Sequence, residues 1–312
     1  MRILRSVAFL VASLLFTQMA QAWNATGHMT IAALAYRNLS PAARQSVDAL
    51  LMSHPGMHPQ KPGDVDWPKA LAAAPDFDPN LYRFMLASTW PDDIRRTGNP
   101  YDHPEWHFVD YPLKPPSFPM ESALAPGDNL LSAMHLSIQA VQDPKRTAED
   151  RAAYLSWVIH LVGDVHQPLH CASLFTADYP RGDRGGNDFI VAGPRGGNVK
   201  LHAFWDDLLG TTRATFNILR IAGGIATTPG LQRDRLPELN GPATPEAWSL
   251  DSRTAAIKWA YLNGDLKGIT PSAQGDAPPL PPTYATDARK VARRCMALAG
   301  YRLVDLLQGI MK

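Results

Sequence analysis

Residues 160–170 read His160-Leu161-Val162-Gly163-Asp164-Val165-His166-Gln167-Pro168-Leu169-His170, so three histidines and one aspartate fall in an otherwise apolar segment. On a helix, His160 and Asp164 are four residues apart and share one face. Pro168 cannot continue that helix, so the chain turns there and His170 approaches from another direction. Imidazole and carboxylate groups are good zinc ligands. The segment therefore predicts a metal site at the broken end of a helix, and the alternative is a set of hydrogen-bonded core histidines.

Helical patterns flank this segment on both sides and predict a mostly α chain. Ser40-Pro41 reads as an N-cap followed by the first position of a helix. The apolar spacing predicts helices at 28–39, 41–52, 81–89, 129–142, 148–167, 202–221, 245–262 and 287–311. Segments 188–192 and 198–201 predict a small β-hairpin, and long loops connect the remaining elements.

Two loop regions carry further expectations. Residues 54–79 are rich in Pro, Gly and Asp and predict a surface excursion, in which His54 and His58 are expected to be exposed to solvent. Asp93, next to Asp92, is expected to cap a helix. His103, His135 and His166 fit no ligand pattern and are expected to be structural.

The amino terminus resembles a targeting segment. Residues 1–22 have a basic start, a short apolar run and the sequence Ala20-Gln21-Ala22, which together predict a signal peptide cleaved after Ala22. The apolar run is too short to remain as a membrane anchor. We therefore expect a secreted or periplasmic protein that begins at Trp23, with residues 23–312 forming a single domain.

Overall charge and cysteine content say little about function. The formal net charge of +1 indicates neither a nucleic-acid surface nor a membrane surface, although bound cations can supply a local field for phosphate. The two cysteines, Cys171 and Cys295, are enough for one disulfide in an exported protein, and the sequence leaves their pairing open. The chain has neither His-Glu-x-x-His nor Gly-x-Ser-x-Gly, which disfavours a metalloprotease of that type and a serine hydrolase.

Further ligand-type residues lie in four other places, and with the loop that ends at Asn187 they complete a recognisable order. The sequence contains Trp23-x4-His28, Trp-Pro-Asp92-x2-Arg95, His107-Phe-Val-Asp110, His160-x3-Asp164-x5-His170, Asp-Arg-Gly-Gly-Asn187 and Leu-His202-x3-Asp206. In this order the motifs resemble the tri-zinc phosphodiesterases, which comprise the type I single-strand nucleases of the S-one and P-one type and the bacterial zinc phospholipases C. The resemblance implies their mostly α, phospholipase C/nuclease-type helical fold.

The same resemblance implies three zinc ions. The first would be held by Asp92, His107, His160 and Asp164, the second by the α-amine and carbonyl of Trp23 with His28 and Asp164, and the third by His170, His202 and Asp206. Asp164 would then bridge two ions. Three zinc ions and three aspartates leave a net charge of about +3, which attracts phosphate.

The resemblance also assigns roles around the metals. Asp110 would orient the attacking water, Arg95 would neutralise phosphate oxygens and Asn187 would donate a hydrogen bond in the active site. Phe108 would stack a base, and Lys114 would contact phosphate. The implied activity is hydrolysis of single-stranded DNA and RNA to 5′-mononucleotides, with removal of 3′-phosphate from nucleotides, by a monomeric enzyme.

Two other functions remain open at this point. A zinc phospholipase C shares the motifs, but the resemblance implies Glu in that branch where this chain has Asp206, and a base-stacking Phe108 suits a nucleic acid. A zinc-storing protein without catalysis is the third possibility, and it would need neither Asp110 nor Arg95.

Overall fold

The computed structural model describes residues 23–60, 64–114 and 127–311, so the predicted signal peptide lies outside the described residues. The mostly α architecture is confirmed. The α-helices are α1 (Ala25–Asn38), α2 (Pro41–Leu51), α3 (Trp67–Ala72), α4 (Pro79–Asp93), α5 (Leu130–Gln142), α6 (Ala148–Asp164), α7 (Leu201–Asp206), α8 (Thr215–Ala226), α9 (Pro245–Ala255) and α10 (Tyr284–Ile310).

Helix α6 places His160 and Asp164 in the interior of the molecule. Thr147 caps its first turn by accepting a hydrogen bond from the Asp150 amide. Every residue from Leu155 to Asp164 is buried, because α1, α4 and α5 pack around the helix. A helix that is apolar on all sides has to be enclosed in this way. His160 and Asp164 are therefore surrounded by protein.

The predicted break at Pro168 is confirmed, although α6 ends at Asp164 instead of 167. Pro168 opens a 3-10 turn at Pro168–Cys171, where its missing N–H costs no hydrogen bond. Gln167 caps this turn by accepting a hydrogen bond from the Leu169 amide at 2.6 Å. His170 consequently lies inside the protein beyond the end of the helix.

Helix α4 is longer than the sequence pattern predicts. The prediction of 81–89 stopped before Pro91, but the observed helix runs through Pro91 to Asp93. A proline near the end of a helix is tolerated because its fixed φ is helical and only one hydrogen bond is lost. Asp92 thus belongs to a helix and not to the following loop.

Two pairs of short strands complete the fold. The predicted hairpin is confirmed in shorter form as an antiparallel pair, Ile190–Ala192 with Asn198–Lys200. The sequence did not predict the second pair, in which Pro112–Leu113 runs parallel to Ser173–Leu174. The same pairing extends towards the ligands, since the Val109 amide donates to the His170 carbonyl at 2.7 Å. This ladder ties the 107–113 segment to the 170–174 segment.

The expectation that His54 is exposed is wrong. His54 is buried, its ring stacks on Trp67 at 4.0 Å, and its Nδ1 accepts a hydrogen bond from the Gly56 amide. Since Nδ1 accepts, Nε2 carries the proton and donates to Ser156 Oγ at 2.9 Å. The 54–79 segment is therefore attached to α6 through the buried His54 ring. His58 is exposed, as expected.

The carboxyl-terminal half differs from the predicted ranges in detail. The single pattern at 202–221 forms two helices, α7 and α8, because the chain turns at Gly210, whose φ is 99°. Helix α9 continues as a π-helical turn at Ala256–Ala260. Cys171 and Cys295 are both buried and free. Within the described residues, no helix has the length and apolarity to cross a membrane.

Candidate metal centre

The side chains of His107, His160 and Asp164 meet at the carboxyl-terminal end of α6. Oδ2 of Asp164 lies 3.1 Å from Nε2 of His160 and 3.2 Å from Nδ1 of His107. The two histidine nitrogens are 2.9 Å apart. A tetrahedral zinc with ligands at 2.0–2.1 Å separates its ligand atoms by about 3.3–3.4 Å. The observed triangle is therefore close to the size that one zinc requires.

A second group shares residues with the first. His28, Asp92 and His160 bring ligand atoms within 4.8 Å of one another. The second oxygen of Asp164, Oδ1, lies 3.3 Å from Nε2 of His28. Since Oδ2 faces His107 and His160, the two oxygens of one carboxylate face two different sets of histidines.

The third group comes from the other side of the break at Pro168. Nε2 of His170 lies 3.2 Å from Nε2 of His202, which in turn lies 3.6 Å from Oδ2 of Asp206. His202 and Asp206 stand four residues apart on α7 and share one face, as the sequence spacing predicts. All three side chains are buried.

Backbone carbonyls hold the imidazoles in place. Nδ1 of His160 donates to the Ser88 carbonyl at 2.8 Å, and Nδ1 of His202 donates to the Gly185 carbonyl at 2.7 Å. Nδ1 of His170 likewise donates to the His107 carbonyl. In a neutral ring, each bond leaves the lone pair on Nε2, the atom that points into its group, which is the usual arrangement for a histidine metal ligand.

Several atoms at these groups have no hydrogen-bond partner although they are buried. They are Oδ1 of Asp164, Oδ1 of Asp92, Nε2 of His107 and both ring nitrogens of His28. Buried polar atoms without partners are rare in folded proteins, because each costs free energy. For the carboxylate oxygens and Nε2 of His28, a metal ion would supply the missing interaction, so the residues present fit such a group.

Burial and mutual contacts shift the ionisation of these side chains. Burial lowers the pKa of His28 and of His107, and lowers that of His170 to about 4, which favours the neutral, ligating imidazole. Burial by itself disfavours the Asp164 carboxylate, but His160 and the other neighbouring histidines hold its pKa well below the usual range. Burial raises the pKa of Asp206 well above its usual range, and a cation would offset that cost.

Trp23 stands directly before Asn24, the N-cap of α1. Its side chain is buried, and it packs so closely on Gly27 that a Cβ added there would lie 2.6 Å from the Cβ of Trp23. Asn24 follows as the N-cap of α1 and also donates to Asp207 Oδ1 and to the Gly210 carbonyl, each at 2.7 Å. The start of the predicted mature chain is thus fixed against the loop that follows Asp206.

A cleft of about 350 Å³ opens beside the histidines. It is lined by Arg95, Pro104, Glu105, His107, Phe108, Asp110, Leu169, His170, Arg184, Asn187 and His202. The structure thus brings four of the five other predicted site residues to one cleft, and Lys114 is not among its lining residues in the described chain. Nη1 of Arg95 lies 3.5 Å from Oδ1 of Asp92. Burial, then Asp183 and Glu105, raise the pKa of Asp110 to about 6.

The sequence motifs gave no role to two residues that shape this site. Gln167 is buried and donates from Nε2 to Oδ1 of Asp206 at 2.7 Å, which fixes the carboxylate. Gly163 leaves room for His28, since a Cβ added there would lie 2.7 Å from its Nδ1. The position of Gln167 directly before Pro168, just after the helix, could have indicated its role. No local sequence pattern indicated the role of Gly163.

The three histidines expected to be structural lie outside the metal groups of the described chain. His166 is buried, donates from Nδ1 to the Val162 carbonyl at 2.8 Å and faces Arg302 Nη1 at 2.9 Å. His103 stacks on Trp106 with ring centroids 3.8 Å apart. His135 pairs with Glu246 at the surface.

Asp93 does not cap the start of a helix. It lies in the last turn of α4, because that helix continues through Pro91. There its carboxylate accepts a hydrogen bond from Thr89 Oγ1 at 2.9 Å and pairs with Arg213 at 2.7 Å.

Comparison with known proteins identifies the family of this chain. The S1/P1 Nuclease family model matches residues 23–312. The chain is 26% identical to Nuclease P1 from Penicillium citrinum and 24% identical to Nuclease PA3 from Penicillium sp, each match covering 92% of this chain and 97% of the relative. It is 23% identical to Nuclease S1 from Aspergillus oryzae, over 96% of this chain and 95% of the relative. The chain therefore belongs to the S1/P1 nuclease family and is a nuclease.

Proposed function

We propose that this protein is a zinc-dependent endonuclease that hydrolyses single-stranded DNA and RNA to 5′-mononucleotides and also removes 3′-phosphate from nucleotides. One observation supports this most strongly: the two oxygens of Asp164 face His28 on one side and the pair His107 and His160 on the other. A carboxylate in that position suits two neighbouring metal ions. Storage of a single ion would not require it.

The proposed ligand sets follow the three groups. Asp92, His107, His160 and Asp164 would hold one zinc, Trp23, His28 and Asp164 a second, and His170, His202 and Asp206 a third. His28 also lies within reach of Asp92 and His160, which agrees with two ions at adjacent positions. When bound, zinc would polarise the phosphate and make water a stronger nucleophile.

The cleft residues supply the remaining functions. Asp110 would accept a hydrogen bond from the attacking water, and Arg95 and Asn187 would donate to phosphate oxygens. Phe108, at the same cleft, would stack an unpaired base, which favours single strands. Lys114, which does not line the cleft, would contact a phosphate of the substrate.

The predicted amino terminus makes a separate contribution. If export removes residues 1–22, the α-amine of Trp23 becomes free to act as a ligand together with its carbonyl. We propose that the mature protein, residues 23–312, is a monomeric single domain outside the cytoplasm. A version that retains Ala22 should bind less zinc and lose activity, while full zinc content in that version would refute the role of Trp23.

The direct test compares substrates before and after chelation. Purified mature protein should release acid-soluble nucleotides from single-stranded DNA and RNA, and the activity should vanish on chelation and return with zinc. Release of phosphocholine from lipid without nucleotide release would favour a phospholipase C instead. Three bound zinc ions without hydrolysis of either substrate would favour storage.

A further inference from the structure

The loop at 182–186 contains one residue that its backbone does not favour. Gly182, Arg184, Gly185 and Gly186 all have positive φ angles, of 84°, 56°, 62° and 80°. Glycine adopts this left-handed region without strain, whereas a long side chain does so at a cost in free energy. Arg184 is therefore the one non-glycine residue among four positions of the same backbone type. Such strain often marks a functional side chain.

The surrounding hydrogen bonds keep Arg184 in this conformation. Its amide donates to Ser173 Oγ at 3.2 Å, and its carbonyl accepts from Nδ2 of Asn187 at 2.8 Å. Asp183, directly before it, is buried and accepts from the Tyr261 hydroxyl at 2.7 Å. The loop backbone is thus fixed, and the direction in which the Arg184 side chain leaves it is fixed as well.

Arg184 and Arg95 line the same cleft at different depths. The side chain of Arg95 is 15% exposed and contacts Asp92, a proposed metal ligand. The side chain of Arg184 is 61% exposed, and among the described residues it pairs with Asp188 at 3.7 Å, beyond hydrogen-bonding distance. Arg95 is therefore placed to meet the phosphate at the metals. Arg184 is the more exposed of the two and stands at the outer part of the cleft.

We propose that Arg184 binds a phosphate of the substrate strand other than the one that is cleaved, and so favours oligonucleotides over mononucleotides. This inference rests on the proposed nuclease function. A guanidinium group suits the task because it presents several N–H donors in a geometry that matches phosphate oxygens. A 3′-mononucleotide has a single phosphate, which the metals and Arg95 would bind. Arg184 would therefore add nothing to the binding of a mononucleotide.

The test compares two substrates in two variants of the zinc-loaded mature protein. Arg184→Gly removes the side chain and suits the positive φ, so its melting temperature should be no lower than that of the parent. For a single-stranded oligonucleotide its kcat/KM should fall about tenfold more than for a 3′-mononucleotide, mainly through KM. The slope of log kcat/KM against log salt should weaken by about 0.7 for the oligonucleotide.

Two further variants serve as controls. Arg195→Gly removes the same charge from the exposed turn of the β-hairpin and should change neither substrate ratio nor salt slope. Arg184→Lys should restore part of the salt slope, because it restores the charge without the planar group. An Arg184→Gly protein with an unchanged substrate ratio, or with equal losses on both substrates, would overturn the proposal. If the parent protein hydrolyses neither substrate, the proposed function itself fails and this inference fails with it.

Discussion

Nε2 of His28 lies 3.3 Å from Oδ1 of Asp164, although the two residues belong to helices α1 and α6, which are far apart in the sequence. The ring of His28 also stacks on that of His160, with centroids 4.0 Å apart. This approach of α1 to α6 is possible because residue 163 has no side chain. The contact joins the amino-terminal ligands to the central helix.

Replacement of Gly163 should disturb this contact. In Gly163→Ala the new methyl group would lie 2.7 Å from Nδ1 of His28, so the ring has to move away from Asp164. We expect the affinity for one zinc ion to fall about tenfold or more, because displacement of a ligand by a few tenths of an ångström spoils the coordination geometry. Zinc titration with a competing chelator measures the change.

Gly223→Ala is the matched control for that variant. Gly223 lies within α8, and a Cβ added there would meet no atom within 4 Å. Alanine should stabilise that helix by up to about 1 kcal/mol and leave zinc binding unchanged. Equal zinc affinity in both alanine variants would show that the His28 contact does not depend on residue 163.

Asn24 should position the amino-terminal ligands through the loop after α7. It accepts the Gly27 amide as N-cap and donates to Asp207 Oδ1 and the Gly210 carbonyl. Asn24→Ala should cost about 1–2 kcal/mol in the free energy of unfolding, and weaken zinc binding at the second site. Asn38→Ala, at the far end of α1, should leave zinc binding unchanged. Retention of all zinc by Asn24→Ala at limiting zinc concentration would argue against this positioning role.

His54 should make stability depend on pH. Burial holds its pKa well below the ordinary value of 6.5, so the unfolded chain binds a proton below that pH while the native protein does not. The contribution of neutral His54 to the free energy of unfolding is therefore fully present above pH 6.5. It is lost as the pH falls below that value, by up to about 1.4 kcal/mol per pH unit.

The variant His54→Asn isolates this contribution. Asparagine does not titrate, and its side-chain oxygen can still cap the turn at Gly56. Urea unfolding at pH 7.0 and pH 5.5, with zinc in excess, should show a smaller loss of stability in His54→Asn than in the parent. His58→Asn, at an exposed position, should keep the greater part of the parent's pH dependence, because burial is the larger cause of the lowered pKa of His54. A parent-like pH dependence in His54→Asn would mean that His54 does not remain neutral in the folded protein.

Glu105 should oppose the binding of polyanions. It is exposed at the rim of the cleft that Arg95 and Arg184 line. Glu105→Gln should raise kcat/KM for a single-stranded oligonucleotide about two- to threefold at low salt, and the gain should disappear near 0.5 M salt because of screening. Glu149→Gln, about 22 Å from Asp164 along α6, should have no such effect. A gain that persists at high salt would point to a cause other than charge.

The sequence predicted the parts of the site that depend on local spacing. The pairs His160/Asp164 and His202/Asp206 are four apart on helices, so their shared faces followed from helical geometry alone. The break at Pro168 followed from the missing N–H of proline.

The features that the sequence did not predict depend on contacts between distant segments. His54 is buried because Trp67 folds back onto it, and no local pattern reports that stacking. The parallel pairing of 112–113 with 173–174 is too short to leave a periodic signal. Hydrogen bonds with Ser173 and Asn187 hold Arg184 in its left-handed conformation. From local sequence alone, glycine would be expected at a position with positive φ.

The most direct test of the central proposal is the zinc content of the mature protein and two aspartate variants. Asp164 would serve two ions and Asp206 one, so elemental analysis after dialysis should give three zinc ions per chain for the parent, two for Asp206→Ala and one for Asp164→Ala. Circular dichroism should confirm that each variant retains its helices. Loss of the same number of ions in both variants, or fewer than three in the parent, would contradict the bridging role of Asp164.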